Sequence, residues 1–302
     1  MTEEFTDFEL DGIHLIDKIG EGGMSSVWKA KDLNRNEIVA VKILKNEFTA
    51  NRADIEQFKA EHSAMQNLSH PGIVKSYEIK HYNRRWYYAM EYVDGYNFKS
   101  LLNRKTKLPE IDCLLICQSI STALDYAWND HGVVHCDIKP DNIMINTEGV
   151  VKLTDLGLCY TYRFLKDGQK DSCPDYVMGT PGYISPEQIY GDIELDCRAD
   201  IYSLGATLYH LATGRMLFPG LSSDETMLSH CNDDCQAGDP RLFNPQISEG
   251  FSQMLEAMLV KERNGRIPRW SDIYEMSRQV ERGFKFKPRF GVLPSSIKLL
   301  EA

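Results

Sequence analysis

Apolar and polar positions along this chain change their rhythm near residue 95. Before it, runs rich in β-branched and aromatic residues alternate with turn residues: GIHLIDKIG at 12–20, SVWKAKD at 26–32, EIVAVKIL at 37–44, IVKSYEIKHY at 73–82 and RWYYAMEYV at 85–93. Such runs predict strands. A polar amphipathic stretch from about Arg52 to Leu68 interrupts them and predicts one helix. After Gly95 the period lengthens: Leu114, Cys117, Ile120, Leu124 and Ala127 recur at steps of three or four, giving one apolar helical stripe. Residues 200–213, DIYSLGATLYHLAT, are apolar on nearly every side and predict a helix buried at the centre of a lobe.

At 302 residues the chain is long enough for two modest lobes, each with its own core. Charged residues make up 26% and hydrophobic ones 42%, which excludes a disordered or fibrous protein. The formal net charge of −10 disfavours non-specific nucleic-acid binding, so no nucleic-acid partner is expected. No apolar run has the length of a membrane span, and the N-terminal MTEEFTDFEL is acidic, unlike a signal peptide. A cytoplasmic chain, or the cytosolic domain of a longer protein, is expected. The eight cysteines are scattered as in a reducing compartment, and His230, Cys231 and Cys235 lack the second pair that a structural metal site would need. The four basic residues between Arg282 and Arg289 read as a solvated tail.

The chemistry is concentrated in HCDIKPDN at 135–142 and TDLG at 154–157. Phosphoryl transfer is catalysed by positioning and charge, and needs a carboxylate to accept the proton of the attacking hydroxyl and oxygen ligands for the metal ions. Asp137, Asn142 and Asp155 suit those roles in order. Upstream, Gly20, Gly22 and Gly23 lie between two strand-like runs, where a loop can fold over phosphates with its N–H groups inward. A dinucleotide fingerprint would need a helix next, and a Walker A loop would need Gly-Lys-Ser/Thr; neither is present. Strand alternation puts Ala40 and Lys42 on one face.

Taken together, IGEGGMSSV at 19–27, VAVKIL at 39–44, Glu61 in FKAEHSAM, MEYVDG at 90–95, HCDIKPDN, TDLG, GTPGYISPE at 179–187, DIYSLG at 200–205 and Arg266 resemble the eukaryotic-like (Hanks-type) protein kinases, motif by motif. The resemblance runs from about residue 13 to 280. It implies an α+β bilobal kinase fold: a β-rich N-lobe over about 13–90 with one main helix, a hinge over about 91–95, a mainly helical C-lobe over about 96–280, and a C-terminal extension at 281–302. It further implies ATP and Mg2+ as cofactors, with Mn2+ as an alternative metal. For ATP it assigns Ile19, Gly20, Gly22, Gly23 and Ser25 to the phosphate-covering loop and Val27, Ala40 and Met144 to the adenine. Glu91 and Val93 would bind the adenine edge, Asn97 the ribose, and Met90 would be the gatekeeper. Lys42 would reach the phosphates, held by Glu61. Asp137 is the implied catalytic base, Lys139 the charge beside the γ-phosphate, Thr180 the hydroxyl bridging those two, Asn142 and Asp155 the metal ligands, and Glu187–Arg266 a buried ion pair. Lys139 followed by Pro140 resembles the serine/threonine class, so protein substrates with Ser or Thr acceptors are expected, with homodimerisation as a route to autophosphorylation.

Some positions depart from the family pattern. Ser25 replaces the third glycine, and Leu156 replaces Phe in the metal motif. Cys136 stands where many kinases have Arg, and Gln57 and Tyr160 occupy two other positions that are often basic. A phosphate on the activation loop would therefore lack its usual partners. Tyr202 stands where animal and plant kinases often have Trp, and ISPEQI with LYHLATGRMLF resembles the bacterial branch. A pseudokinase scaffold is the alternative reading, opposed by the retention of Lys42, Asp137, Asn142 and Asp155. A small-molecule kinase is opposed by the peptide-docking segment GTPGYISPE.

Overall fold

In this computed structural model the described residues are 9–155, 160–161 (backbone only), 179–192, 194–220 and 222–283. Leu156, the Tyr160 and Thr161 side chains, the charged loop containing Arg163, Lys166, Asp167, Lys170, Asp171, Ser172 and Asp175, and the basic tail beyond Gly283 lie outside them. The chain divides into two compact units, 1–69 with 74–94 and 70–73 with 95–302.

The first unit is a six-stranded antiparallel sheet in the order β1-β2-β3-β4-β6-β5. Its strands are β1 (Glu9–Leu10), β2 (Ile13–Glu21), β3 (Ser25–Asp32), β4 (Glu37–Leu44), β5 (Ser76–Tyr82) and β6 (Arg85–Glu91). Between β4 and β5 runs α1 (Arg52–Gln66), started by the Asn51 side chain, which accepts the Ala53 N–H at 2.9 Å. The pleat of β4 divides its residues between two faces. Val39, Val41 and Ile43 join Leu15, Trp28 and Tyr87 in one cluster, while Leu44 packs with Phe58 of α1 and Tyr88 in the other. Lys42, two residues from Leu44, is therefore on the α1 side. β1 is a short edge strand that the hydrophobic pattern does not reveal, being two residues long.

The run expected as strand from Ile73 begins only at Ser76. His70–Ile73 belong instead to the second unit, where the Leu153 N–H donates to the Gly72 carbonyl at 2.8 Å and Ile73 bridges Leu153 in parallel. The Lys152 ammonium adds a bond to the Pro71 carbonyl at 3.0 Å. Pro71 and Gly72, just ahead of that run, have carbonyls whose partners lie outside the first sheet, and Ile73 follows them.

The second unit opens with β7 (Gly95–Asn97), α2 (Phe98–Lys105) and α3 (Glu110–His131). Then come β8 (Val133–Val134), β9 (Ile143–Asn146), β10 (Val151–Leu153) and β11 (Tyr160–Thr161). Strands pair as β10-β9-β7 and β11-β8. Helices α4 (Pro186–Ile189), α5 (Cys197–Thr213), α6 (Ser223–Cys231), α7 (Pro240–Phe243), α8 (Glu249–Met258) and α9 (Trp270–Arg282) complete it. Every residue of α5 except Arg198 is buried, the central position that its all-round apolarity predicts. Gly205 allows α8 to approach, since a Cβ there would lie 2.9 Å from that of Met258. α3 is buried more widely than one stripe: Cys113, Ile116 and Ala123 are covered as well, along with Glu110, whose carboxylate accepts the Ser248 N–H and hydroxyl, both at 2.6 Å.

Candidate active site

In the first unit, β3 and β4 set Val27 opposite Lys42, and β4 and β6 set Ala40 opposite Met90. The glycine-rich turn between β2 and β3 is closed by the Gly22 N–H donating to the Ser25 carbonyl at 2.8 Å. Gly20 pairs with Val27, Ile19 is exposed just before it, and a Cβ at Gly23 would meet nothing within 4 Å. The Lys42 ammonium donates to the Glu61 carboxylate, and the Tyr88 hydroxyl donates to the same Glu61 oxygen at 2.5 Å. Both charged groups are nearly buried, so the pair fixes the long lysine stem in a low-dielectric setting where its charge is strongly felt. His62, one residue along α1, binds the Tyr77 carbonyl and ties the helix to β5. Glu91 ends β6, its N–H donating to the Lys75 carbonyl at 2.8 Å, and Val93 is buried two residues on.

In the second unit, the turn after β8 carries Asp137, Lys139 and Asn142. The Lys139 ammonium donates to Asp137 Oδ2 and to the Thr180 hydroxyl, each at 2.7 Å, and Thr180 donates to Asp137 Oδ1 at 2.6 Å. Asn142 Nδ2 donates to the Asp137 carbonyl at 2.9 Å and to Oδ2 at 3.1 Å. Thus Asp137, Lys139, Asn142 and Thr180 form one bonded cluster. Asp155 stands just after β10 with φ of 58°, a left-handed backbone outside any strand. It is exposed. Its neighbour Thr154 donates its N–H to the Asn142 carbonyl at 2.9 Å, which links the two candidate ligand segments. Met144 lies on β9 beside Asn97 of β7, and Asn97 caps α2 by accepting the Ser100 N–H at 2.8 Å.

The support beneath this cluster is where the sequence motifs had no assigned role. Asp200 of α5 is 1% exposed and accepts the His135 N–H at 2.7 Å and the Cys136 N–H at 2.8 Å. Burial pushes its carboxyl up to about 6, with the His135 interaction and those two backbone donors acting against the rise. His135 Nδ1 accepts the Asp137 N–H at 3.2 Å, and its Nε2 lies 3.2 Å from the Thr154 carbonyl, so the tautomer with hydrogen on Nε2 satisfies both. Gln188 Nε2 donates to the Cys136 carbonyl at 2.8 Å, and the Thr207 hydroxyl donates to that of Ile138 at 3.2 Å. These bonds hold Cys136 at a φ of 65°, strain that a non-glycine residue accepts only when its surroundings impose it. Cys136 is itself buried against Val134, Leu195 and Ala199. At Gly179, with φ of 138°, a Cβ would sit 2.9 Å from Ile184, so the first residue of GTPGY must be glycine.

The segment after Gly179 is tied to α5, and α5 in turn to α6. The Tyr183 hydroxyl bonds His210 Nδ1 at 2.7 Å, and the Tyr202 hydroxyl bonds His230 Nδ1 at 2.8 Å. His230, considered above as a metal ligand, is thus engaged with Tyr202. Burial lowers both imidazoles to about 4, so both are neutral at physiological pH. Glu187 and Arg266 form a bidentate ion pair at 2.6 and 3.1 Å, with side chains 3% and 0% exposed.

Residues 13–276 match the protein kinase domain family. The chain belongs to the protein kinase family. It is 36% identical over 248 residues to a probable serine/threonine-protein kinase of Clostridium perfringens, covering 82% of this chain and 35% of that protein. It is 31% identical over 244 residues to serine/threonine-protein kinase PrkC of Bacillus subtilis (81% of this chain, 36% of the relative). It is 32% identical over 255 residues to serine/threonine-protein kinase PknB of Mycobacterium leprae (83% and 39%). These relatives are bacterial, in keeping with the branch that ISPEQI and Tyr202 suggest. The chain spans about two fifths of the length of the curated relatives it matches. Among the described residues, no helix is long and apolar enough to cross a membrane.

Proposed function

We propose that this chain transfers the γ-phosphoryl group of ATP to Ser or Thr hydroxyls of protein substrates. The observation that carries the reading is the cluster in which Thr180 and Lys139 both bond the Asp137 carboxylate. Asp137 is the proton acceptor. When the substrate hydroxyl attacks, its proton passes to an Asp137 oxygen, while Lys139, a compact cation, offsets the negative charge that develops on the transferring group. Thr180 orients the carboxylate and belongs to the segment that receives the peptide. Lys42, steadied by Glu61 and Tyr88, is assigned to the nucleotide phosphates. The glycine-rich turn, Val27, Ala40, Met90, Glu91, Val93, Asn97 and Met144 are assigned to the rest of ATP on the resemblance that named them.

Asp155 and Asn142 would hold divalent metal, which supplies charge neutralisation on the phosphates. The donor set fits a hard cation. Asn142 Nδ2 donates to Asp137, which leaves the amide oxygen as the atom that would face a metal, and carboxylate and amide oxygens suit Mg2+ or Mn2+ over softer metals. Among the described residues no group of three or more His, Cys, Asp or Glu is spaced to hold a metal unaided, so phosphate oxygens and water would complete the shell. The reading favours Mg2+ because it keeps several waters and binds through one or two protein ligands plus phosphates.

The test is a radiolabelled ATP assay with a basic protein acceptor, run beside a metal-dependent thermal shift with ATP. Asp137→Asn should lose transfer by roughly 10²–10⁴-fold and keep the nucleotide shift; Asp155→Asn should lose transfer and the metal dependence of the shift. Near-native turnover in both variants would overturn the assignment. A native protein that binds ATP yet transfers nothing would instead favour the scaffold reading.

A further inference from the structure

We infer that a groove on the second unit, outside the proposed transfer site, docks a basic, partly apolar segment of the proteins this kinase acts on. The groove has a volume of about 610 Å³ and runs between the end of α5, the loop 232–239, α7 and α8. That is within the range of sites that seat small ligands or a few side chains. Ala237, Leu259 and Val260 are half-buried in its walls and give an occupant apolar surface to cover, with Leu217, Phe218 and Leu255 buried behind them.

The charge of the lining decides the chemistry of the occupant. Five carboxylates line the groove, Asp233, Asp239, Glu249, Glu256 and Glu262, against two cations, Arg241 and Lys261. Both cations are already engaged, and two cannot balance five carboxylates. Arg241 is bonded to Asp239 at 2.8 Å. The Lys261 ammonium donates to the carbonyls of Ser229, Asn232 and Cys235, which fastens the loop as one wall. Asp233, Glu249 and Glu256 are exposed and have no cation within salt-bridge distance among the described residues. An occupant therefore gains by bringing Arg or Lys to that rim and an apolar side chain such as Leu against Leu259 and Val260. An anionic ligand would meet the same carboxylates as repulsion. The wall is already built by Lys261 and by the Tyr209 hydroxyl, which donates to the Gly238 carbonyl at 3.0 Å, so binding need not first order the loop. A substrate held there presents its acceptor at a raised effective concentration.

The partner is called a substrate on the strength of the kinase reading, but binding is measured without ATP, so the two can fail separately. The probe is a fluorescein-labelled twelve-residue peptide of alternating Arg and Leu, without Ser or Thr, titrated by anisotropy against the whole chain. Saturable binding is expected, weakened at least tenfold in Asp233→Asn/Glu256→Gln, with thermal stability unchanged. The same peptide fused to a phosphoacceptor should lower its KM at unchanged kcat in the native protein and not in the double variant. Equal binding by the double variant, or equal binding of a Glu/Leu peptide, overturns the proposal. Binding that appears only after removal of residues 284–302 overturns it too, since the chain's own basic tail would then be the occupant.

Discussion

Replacing Arg266 with Met tests how much of the second unit hangs on one buried charge. The guanidinium makes five hydrogen bonds: two to Glu187, at 2.6 and 3.1 Å, and one each to the carbonyls of Val260, Arg198 and Lys261 at 2.8, 2.6 and 3.0 Å. It also lies 4.9 Å from the centre of the Tyr202 ring. Methionine keeps the apolar stem and removes all five donors. The Glu187 carboxylate, 3% exposed, is then left as an uncompensated buried charge. Breaking such a pair costs about 3–5 kcal/mol, and three carbonyls without partners push the value to the upper end. At roughly 2–4 °C per kcal/mol for a unit of this size, Arg266→Met should lower Tm by roughly 10–15 °C. Glu187→Gln keeps the shape and one acceptor and should cost less, about 2–3 kcal/mol, in line with losing a charged partner. The decisive measurement is the double-mutant cycle by urea denaturation followed by circular dichroism. Because the second substitution removes a group that the first has already stranded, the double variant should be more stable than the sum of the two losses predicts, by about 2 kcal/mol. Losses that add to within about 0.5 kcal/mol would mean the two groups do not interact in solution, and the reasoning from their geometry would fail.

Lys42→Met should leave folding intact and lower turnover by at least about 10²-fold, equivalent to roughly 2.7 kcal/mol of barrier; normal turnover would also remove Glu61 from the site. Activity should not require loop phosphorylation, because a buried cysteine stands at 136 in place of Arg and Gln57 of α1 is no cation; a rise of more than about tenfold, or roughly 1.4 kcal/mol, on ATP preincubation, lost in Ser172→Ala, would show that the loop has another basic partner. Acid should destabilise the protein through His210 and His230. Their folded values of about 4 lie below the ordinary 6.5, so their contribution is full above about pH 6.5 and is lost as pH falls towards 4. Urea midpoints should fall over that window, and His210→Asn, which keeps an acceptor for the Tyr183 hydroxyl, should flatten the fall.

What depends on near neighbours and on ordered motifs is legible along the chain. The alternation in EIVAVKIL puts Lys42 on the side opposite Val41, and the all-round apolarity of residues 200–213 is enough to bury α5, because side-chain direction follows the backbone period. The order of the motifs was enough to indicate the family. Periodicity failed where short segments exchange partners: β1 is too short to have a period, and Ile73, read as the start of a strand, joins His70–Gly72 in the second unit, where it bridges Leu153. The support of the transfer cluster, by contrast, is a product of packing. Asp200 reaches the N–H groups of His135 and Cys136 across 65 and 64 residues, and Gln188 reaches the Cys136 carbonyl across 52. DIYSLG marks Asp200 as a polar residue at the start of an apolar helix, a signal that something is bonded there, but it does not name the partner. A buried polar group must find a hydrogen bond, yet which group supplies it depends on segments brought together by packing, and no local pattern encodes that distance.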